Sequence, residues 1–482
     1  MAPMLKLDIV IVGAGLSGLA SACALALNGH RVRVIDKTSG LPPHLGAIRV
    51  PPNAAKVLAA WGIHDELAQK SSLIDRVPLI DMYNGGEEVG HTEWSPEMFK
   101  DSGGDFHMMG YRDLCEIILE RAQSVGAKFI WNRTVVSVVP PTHSSGDGER
   151  SVSASVTLCS GRVLTADLVI GADGAQSIVR KLVDESAANG LLQAKYTGTT
   201  IYTGIMDTAD IMADPTMADI VPLRHPFWMG DNCIAMAYPM RNDKAFGFHV
   251  DVVREPSDHE EVSWSWNDVP ASEVPLDRLE IRLQSFLKHA TTLTRAHCYD
   301  LPPSEDRVDE SERIILIGQA AHPMMPSAMH QSSDCLESAC ILGVLLSHLR
   351  SMEQLPSLLY AYQDLREKRS PRLHSLELGL RAYCGMTGEA REVRDENMRA
   401  IAAAAQARHD RGLRPGEGAE EDTGPLAQQF AEVAELWGYD AHEAAEEWWL
   451  RWGLLRERSE CVGDDDEVDS VVGGVEVVIG RL

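Results

Sequence analysis

Apolar and polar positions mark the chain's elements before any chemistry is considered. Residues 7–12, Leu7-Asp8-Ile9-Val10-Ile11-Val12, form a nearly unbroken apolar run, the pattern of a short buried strand. Gly13-Ala14-Gly15-Leu16-Ser17-Gly18 follows, and residues 19–28 are small and apolar, predicting a helix ended by Gly29. Residues 31–35 make a second strand that closes on Asp36, 18 residues beyond Gly18. Strand, GxGxxG, helix, strand and acid together are a complete dinucleotide-binding unit. In it Gly13 permits the tight turn, Gly15 lets the backbone approach a pyrophosphate, and Gly18 lets helix and strand pack closely. The helix N-terminus faces the phosphates, and Asp36 would accept hydrogen bonds from ribose hydroxyls. The full context favours a ligand over a bare glycine-rich turn.

Downstream, the pattern predicts an amphipathic helix over 54–61, short strands over 73–94, and a helix from Gly110 to Ala122. A strand is expected over 128–139, a polar hairpin loop over 140–150, and an alternating strand over 152–158. Residues 167–174 read as a buried strand running into a glycine turn, with Ser177 and Arg180 after it. Residues 196–252 and the Trp264/Trp266 region read as mostly β. A further buried strand over 313–318 leads through Gln319 to Pro326 into a helix from about Asp334 to Leu349. Helices follow from Leu358. Residues 411–425 form an exposed linker, 441–452 a helix with clustered Trp, and 464–467 an acidic, solvated run.

Composition narrows the partners. The 482 residues carry 44 Lys and Arg against 71 Asp and Glu, a net charge of -27. Such a polyanion repels nucleic acid and anionic membrane surfaces, so neither is an expected partner. The nine Cys show no CxxC and no Cys/His zinc spacing. They form neither a disulfide framework nor a metal site, and they suit a reducing, cytoplasmic location. No apolar run reaches the roughly 18 residues of a membrane span. The apolar stretch 9–26 has the look of a signal peptide, but Asp8 and the regular glycines argue against that.

Taken in order, these pieces resemble the class A FAD-dependent monooxygenases, the para-hydroxybenzoate hydroxylase superfamily, and within it the fungal salicylate hydroxylase-like branch. The resemblance runs from about residue 7 to residue 452. It rests on the fingerprint with Asp36, on Gly46-Ala47-Ile48 with Pro51-Pro52-Asn53, and on Arg112 with Leu114. It rests further on Asp167 with Gly171-Ala172-Asp173-Gly174 and Arg180, on Tyr238-Pro239, on Ala320-Ala321-His322-Pro323 with Pro326, and on Trp437-Gly438-Tyr439-Asp440-Ala441. It implies an α/β fold: a Rossmann-like FAD-binding domain (1–75, 101–182 and 298–380), an inserted β-rich substrate domain (76–100 and 183–297), a C-terminal helical segment (381–455) and an acidic tail (456–482). It implies FAD as cofactor, NAD(P)H as reductant without a Rossmann domain of its own, and O2 with a small molecule as substrates. The single fingerprint agrees with that. The residues expected to hold FAD are Gly13, Gly15, Gly18, Asp36, Ala47, Arg112, Asp173, Gly174, Gln319 and Ser332. The expected activity is hydroxylation or epoxidation of a small aromatic, phenolic or terpenoid-derived molecule in secondary metabolism.

Three positions depart from the family pattern. Gln319 stands where the second flavin motif carries Asp, which keeps an acceptor oxygen but loses the charge that strengthens a hydrogen bond. Gln331 stands where a glycine backbone lies against the flavin ring. A positive φ there would cost a residue with a Cβ about 1–2 kcal/mol. Asp334 is expected to cap the following helix. Thr203 replaces an Arg that relatives carry on a substrate-domain strand. The adenosine half of the site is therefore intact and the ring half altered. That leaves open a non-redox cyclase, isomerase or hydrolase using the same cleft, or a binding protein without turnover. His330 and His322 are the candidate catalytic groups. A loop histidine and a strand-end histidine bonded to backbone are their structural alternatives. Met108, Met109, Met324 and Met325 either line an apolar pocket or pack the core.

Overall fold

The computed structural model describes residues 4–41, 46–83, 85–94, 96–141, 153–253, 267–274, 279–290, 293–410 and 435–454. The hairpin loop at 142–152, the Trp264/Trp266 region, the linker at 411–425 and the acidic tail lie outside the described residues.

At the centre is a five-stranded parallel sheet. Its spatial order is β19 (Ile314–Leu316), β12 (Leu168–Gly171), β1 (Asp8–Val12), β2 (Arg31–Ile35) and β8 (Lys128–Ile130). The strands are apolar on both sides because both sheet faces are covered. Ile9 and Ile11 point into one core with α1 (Leu16–Leu27), α2 (Tyr111–Ser124) and α3 (Gln331–Ser347). Val10 and Val12 point the other way. They meet a small antiparallel sheet of β9 (Val135–Val139), β10 (Ala154–Leu158) and β11 (Val163–Ala166). The strand expected over 128–139 is thus two strands in two sheets. The break falls at Asn132, in the left-handed region at φ 55°, a conformation Asn tolerates. The helix expected over 54–61 runs Pro52–Ala60, with proline in the first turn where its missing N–H costs nothing.

The second large unit is an eight-stranded mixed sheet drawn from two stretches of chain. β5 (Arg76–Asp81) and β6 (Glu88–Glu93) form one edge. Beyond them lie β14 (Phe227–Gly230), β15 (Cys233–Met240), β16 (Ala245–Val253), β13 (Lys195–Asp207), β18 (Leu293–Asp300) and β17 (Asn267–Val269). Side-chain parity separates its faces. Phe246, Phe248 and Val250 of β16 pack on helix Ile281–His289 through Leu283, Phe286 and Leu287. The opposite face carries Tyr238 and Met240 against Ala47, Met108 and Met324. A third small sheet, β3 (Ala47–Val50), β7 (His107–Gly110) and β4 (Ser71–Leu73), bridges the two units.

The 30-residue helix α4 (Leu355–Cys384) crosses both units. Trp437 is buried among Trp94, Phe99 and Phe106, with ring centroids 4.8–6.1 Å away. Helix α5 (Ala441–Trp448) continues into a wider turn over Trp449–Gly453. Trp449 stacks on His348 at 4.4 Å, whereas Trp452 is exposed. Met108 and Met324 join the apolar cluster above β3, Met109 packs in the parallel-sheet core, and Met325 is half-buried. No helix among the described residues is long and apolar enough to cross a membrane.

Candidate active site

The turn after β1 is built from backbone. Gly13 holds φ +102°, and a Cβ on it would fall on the Ala172 carbonyl. A Cβ on Gly18 would fall on the Gly13 carbonyl. Gly15 differs: a Cβ there would meet nothing within 4 Å, so its outer side is open. Gly15 also caps α1 without a side chain of its own, so the positive end of the helix can receive an anion there, although the Leu16 N–H already donates to the Tyr111 hydroxyl at 3.3 Å. Asp36 braces this turn. Its Oδ2 accepts from the Ala14 N–H (2.7 Å), and its Oδ1 accepts from the Thr38 N–H (2.8 Å) and hydroxyl (2.6 Å). Each oxygen has two lone pairs, so an acceptor direction remains for a ribose.

The second glycine turn faces the same way. Asp173 is turned inward, accepting from the Ser177 hydroxyl (2.5 Å) and the Ile178 N–H (2.8 Å). Burial pushes its carboxyl above the ordinary range, and these bonds partly offset that. Gly174, at φ +80°, is open beside it. Arg112, near the start of α2, donates Nη1 to the Leu41 carbonyl at 3.0 Å. Two bare glycine surfaces, an uncapped helix and a strand-end acid fit the adenosine and pyrophosphate of a dinucleotide. Gly18→Ala should therefore weaken FAD binding by roughly a hundredfold or more, since the added carbon displaces the turn itself. Titration of the protein with FAD, followed by flavin fluorescence, measures this; unchanged affinity would contradict the account of the turn.

A cleft opens between the two units. It is lined by Ala47, Ile48 and Arg49 of β3, by Tyr111, by Ser327, Ala328 and Gln331, and by His249 of β16. Gly318, at φ +58°, lies against Ser17 at the start of α1, and the following Gln319 is half-buried. Helix α3 starts at Gln331, one turn earlier than the pattern suggests, and has no side-chain cap. The Gln331 N–H turns back to the Ala328 carbonyl (3.2 Å), and the helix start makes a second positive end at the cleft. Ser332 is buried and donates its hydroxyl to the Arg49 carbonyl (2.7 Å), while Arg49 Nη2 donates to the Ser327 carbonyl (2.5 Å).

Two expectations are corrected here. Gln331 carries no positive φ; the left-handed residue of this loop is Ser327, at 58°. Asp334 is not the cap. It sits inside α3, buried and paired with Arg366 at 2.8 Å. Thr203 is buried against Gly46 and donates to the Phe248 carbonyl at 2.7 Å.

The candidate histidines also change. His322 and His330 are buried and neither lines the cleft. Both ring nitrogens of His322 lack a hydrogen-bond partner among the described residues. The backbone bond expected for its ring is therefore missing, and the ring lies edge-on to His374 at 5.3 Å. Burial pushes its pKa down to about 4. His330 is the residue before α3, with its N–H donated to Glu377 at 2.7 Å; burial lowers its pKa as well. The histidine that faces the cleft is His249. It is 2.7 Å from the Tyr238 hydroxyl through Nε2, and its Nδ1 lies near the Ala47 main chain without completing a hydrogen bond. Burial, and then the Arg49 charge, push its pKa down to about 3, so it is a neutral imidazole. Sequence reasoning missed His249, Arg49 and Asp251. The available signal was polar residues two apart (His249, Asp251) on one face of an otherwise apolar strand, and a lone charge inside the apolar segment 47–50. No group of side chains suited to a metal occurs among the described residues.

A family model described as FAD binding domain matches residues 6–375. Among curated proteins the chain is 25% identical over 450 residues to the FAD-dependent monooxygenase OpS4 of Beauveria bassiana, covering 91% of this chain and 96% of that protein. It is 29% identical over 343 residues to the 3-hydroxybenzoate 6-hydroxylase of Klebsiella oxytoca, covering 70% and 79%. Among solved structures the fold matches CtdE in complex with FAD and a substrate, at TM-score 0.71 and 17% identity over 94% of this chain and 100% of that one. It matches a salicylate hydroxylase substrate complex at TM-score 0.68 and 18% identity, over 92% and 97%. The chain belongs to the FAD binding domain family and is a class A flavin-dependent monooxygenase.

Proposed function

We propose, with that membership as premise, that the chain is an FAD- and NAD(P)H-dependent enzyme that hydroxylates or epoxidises a small aromatic, phenolic or terpenoid-derived molecule of secondary metabolism. The observation that carries this is the open Gly15 surface at the start of α1, linked through Tyr111, whose hydroxyl accepts from the Leu16 N–H at 3.3 Å, to a cleft that Tyr111 lines and that ends on the substrate-side sheet. When bound, FAD supplies the electron transfer and the oxygen chemistry. The chain's own groups do the rest. The main chain at Gly13, Gly15 and Gly18, with Gly174 beside Asp173, would hold the pyrophosphate, and Asp36 the ribose. Arg112 and Gln319 would orient the rest of the FAD chain. Ala47 and the Ser332 backbone, at the N-terminus of α3, would lie along the ring, where that helix end favours negative charge.

Arg49 is the cation of the cleft. Beyond its bond to Ser327, its guanidinium would stabilise a phenolate or enolate, the electron-rich form of the substrate that accepts oxygen. Neutral His249 is too weak a base to take a phenol's proton; it would instead orient the substrate hydroxyl, its own ring steadied by Tyr238. His322 and His330 would act only through packing.

The test is the absorption spectrum of the purified protein, with NAD(P)H oxidation followed over a panel of phenols and enols. Flavin bands and substrate-stimulated oxidation are expected, and Arg49→Gln should lower the stimulated rate by roughly a hundredfold. Protein that lacks flavin bands, or whose NAD(P)H oxidation no phenol or enol stimulates, would overturn the reading.

A further inference from the structure

The sheet face that ends the cleft carries a second cavity, of about 260 Å³, between strands β13, β15 and β16 and the C-terminal end of α4. Much of its wall is apolar, with Ile234, Val253, Leu378 and Ala382, but it also holds an ion pair. Arg381 Nη1 lies 2.9 Å from Asp251 Oδ2. Asp251 is only 6% exposed, yet among the described residues its Oδ1 accepts no hydrogen bond and Arg381 Nη2 donates none. Buried polar atoms of charged groups are normally satisfied, and leaving them unmet is costly. Among the described residues the second edge of the guanidinium donates to no other group; Nη1 additionally donates to Met325 Sδ, at 3.7 Å. Asp251 follows His249 by two residues on β16, so the two side chains share a face roughly 7 Å apart. A molecule anchored on the pair would therefore extend toward the cleft.

An acceptor and a donor left free on one pair match a group that presents a donor and an acceptor side by side. A carboxylate would meet the charge of Asp251. A simple phenol would have to meet both atoms through one oxygen, whereas an amide offers its donor and its acceptor on separate atoms. We propose that the Asp251–Arg381 pair recognises a secondary amide on a planar substrate, such as a lactam, with the amide N–H donated to Asp251 Oδ1 and its C=O accepting from Arg381 Nη2. The inference rests on the proposed function for taking this sheet face as the substrate side, and it narrows the substrate class to amide-bearing aromatic molecules.

The test is binding of two isosteric probes to the full chain, measured by titration calorimetry. 2-Quinolone carries the amide; coumarin has the same shape and carbonyl but a ring oxygen in place of the N–H. 2-Quinolone should bind at least about tenfold more tightly, the scale of one hydrogen bond to a charged group. The paired variant Asp251→Leu/Arg381→Met removes both charges together and leaves neither alone, so it should bind the two probes equally. If that variant shows no cooperative melting transition, Asp251→Asn takes its place, and the preference should fall severalfold. Arg381→Lys should weaken both probes alike. Equal affinities in the native chain, no binding of 2-quinolone, or a preference that survives in the variants would overturn the proposal. The readout is binding without turnover. Protein that lacks flavin bands would sink the redox function and leave this result interpretable, and equal probe affinities would leave the redox function standing.

Discussion

Replacing Arg366 with methionine is expected to destabilise the protein by about 3–5 kcal/mol, the usual cost of removing one partner from a buried ion pair. Arg366 is wholly buried on α4, 2.8 Å from Asp334 and 2.8 Å from Glu337 on α3. Arg369 adds a second cation, 2.7 Å from Glu337, and Asn53 donates to the same carboxylate at 2.7 Å. Burial works to raise both carboxyls; the two guanidiniums more than offset it at Glu337, and Arg366 leads the offset at Asp334, so both end below the ordinary range. Methionine keeps much of the packing volume but leaves two anions in the core, Glu337 paired with Arg369 and Asp334 left to the charge of Arg307. Urea denaturation measures the loss, and a change below about 1 kcal/mol would contradict the account. The effect should reach function as well, because this network fixes α3, whose uncapped start lies at the cleft. Arg369 also stacks over Tyr439 at 4.1 Å, which ties the C-terminal region to the same network.

Acid should unfold the protein well above the pH at which its carboxylates protonate. Burial holds His30, His107, His225 and His322 down to about 4 and His249 down to about 3, from an ordinary 6.5. Above pH 6.5 these rings are neutral whether the chain is folded or not, and they cost nothing. Between 6.5 and about 4 the unfolded chain binds protons that the folded chain refuses, so stability falls as pH falls. Each ring contributes up to about 1.4 kcal/mol per pH unit, and together they outweigh a typical net stability of about 5–15 kcal/mol within roughly two units. The expected result is a melting temperature nearly level from pH 8 to 7 and dropping steeply below about 6, with loss of structure near pH 5. A melting temperature that stays level down to pH 5 would show that these rings gain protons without unfolding.

How much was legible varied with the kind of information each feature needs. The βαβ unit was readable because it is local: an apolar run, a glycine spacing and an acid lie within residues 7–36, and the required φ at Gly13 is a property of one residue. The second glycine turn and the strand leading to Gly318 were readable for the same reason. The start of α3 was not. The pattern favoured Asp334 as a cap because Asp suits that position, but Ser327 turns the chain early and Arg366, 32 residues away, draws the carboxylate inward. The placement of the candidate histidines was not legible on similar grounds. His322 and His330 are near the flavin motif in sequence, yet their rings point into packed interior. His249 is far from that motif, and only the pairing of β16 in its sheet turns it toward residues 47–49 and 327–331.

By itself, then, the amino-acid order determined the dinucleotide turn, the doubly buried strands and the α/β class, since these follow from periodicity and backbone freedom within a few consecutive residues. Tertiary structure alone decided which charged and imidazole groups meet at the cleft, and which are neutralised in the core. That choice depends on the pleat of one sheet and on long-range ion pairing, where a shift of a single residue in register would send His249 and Asp251 to the opposite face.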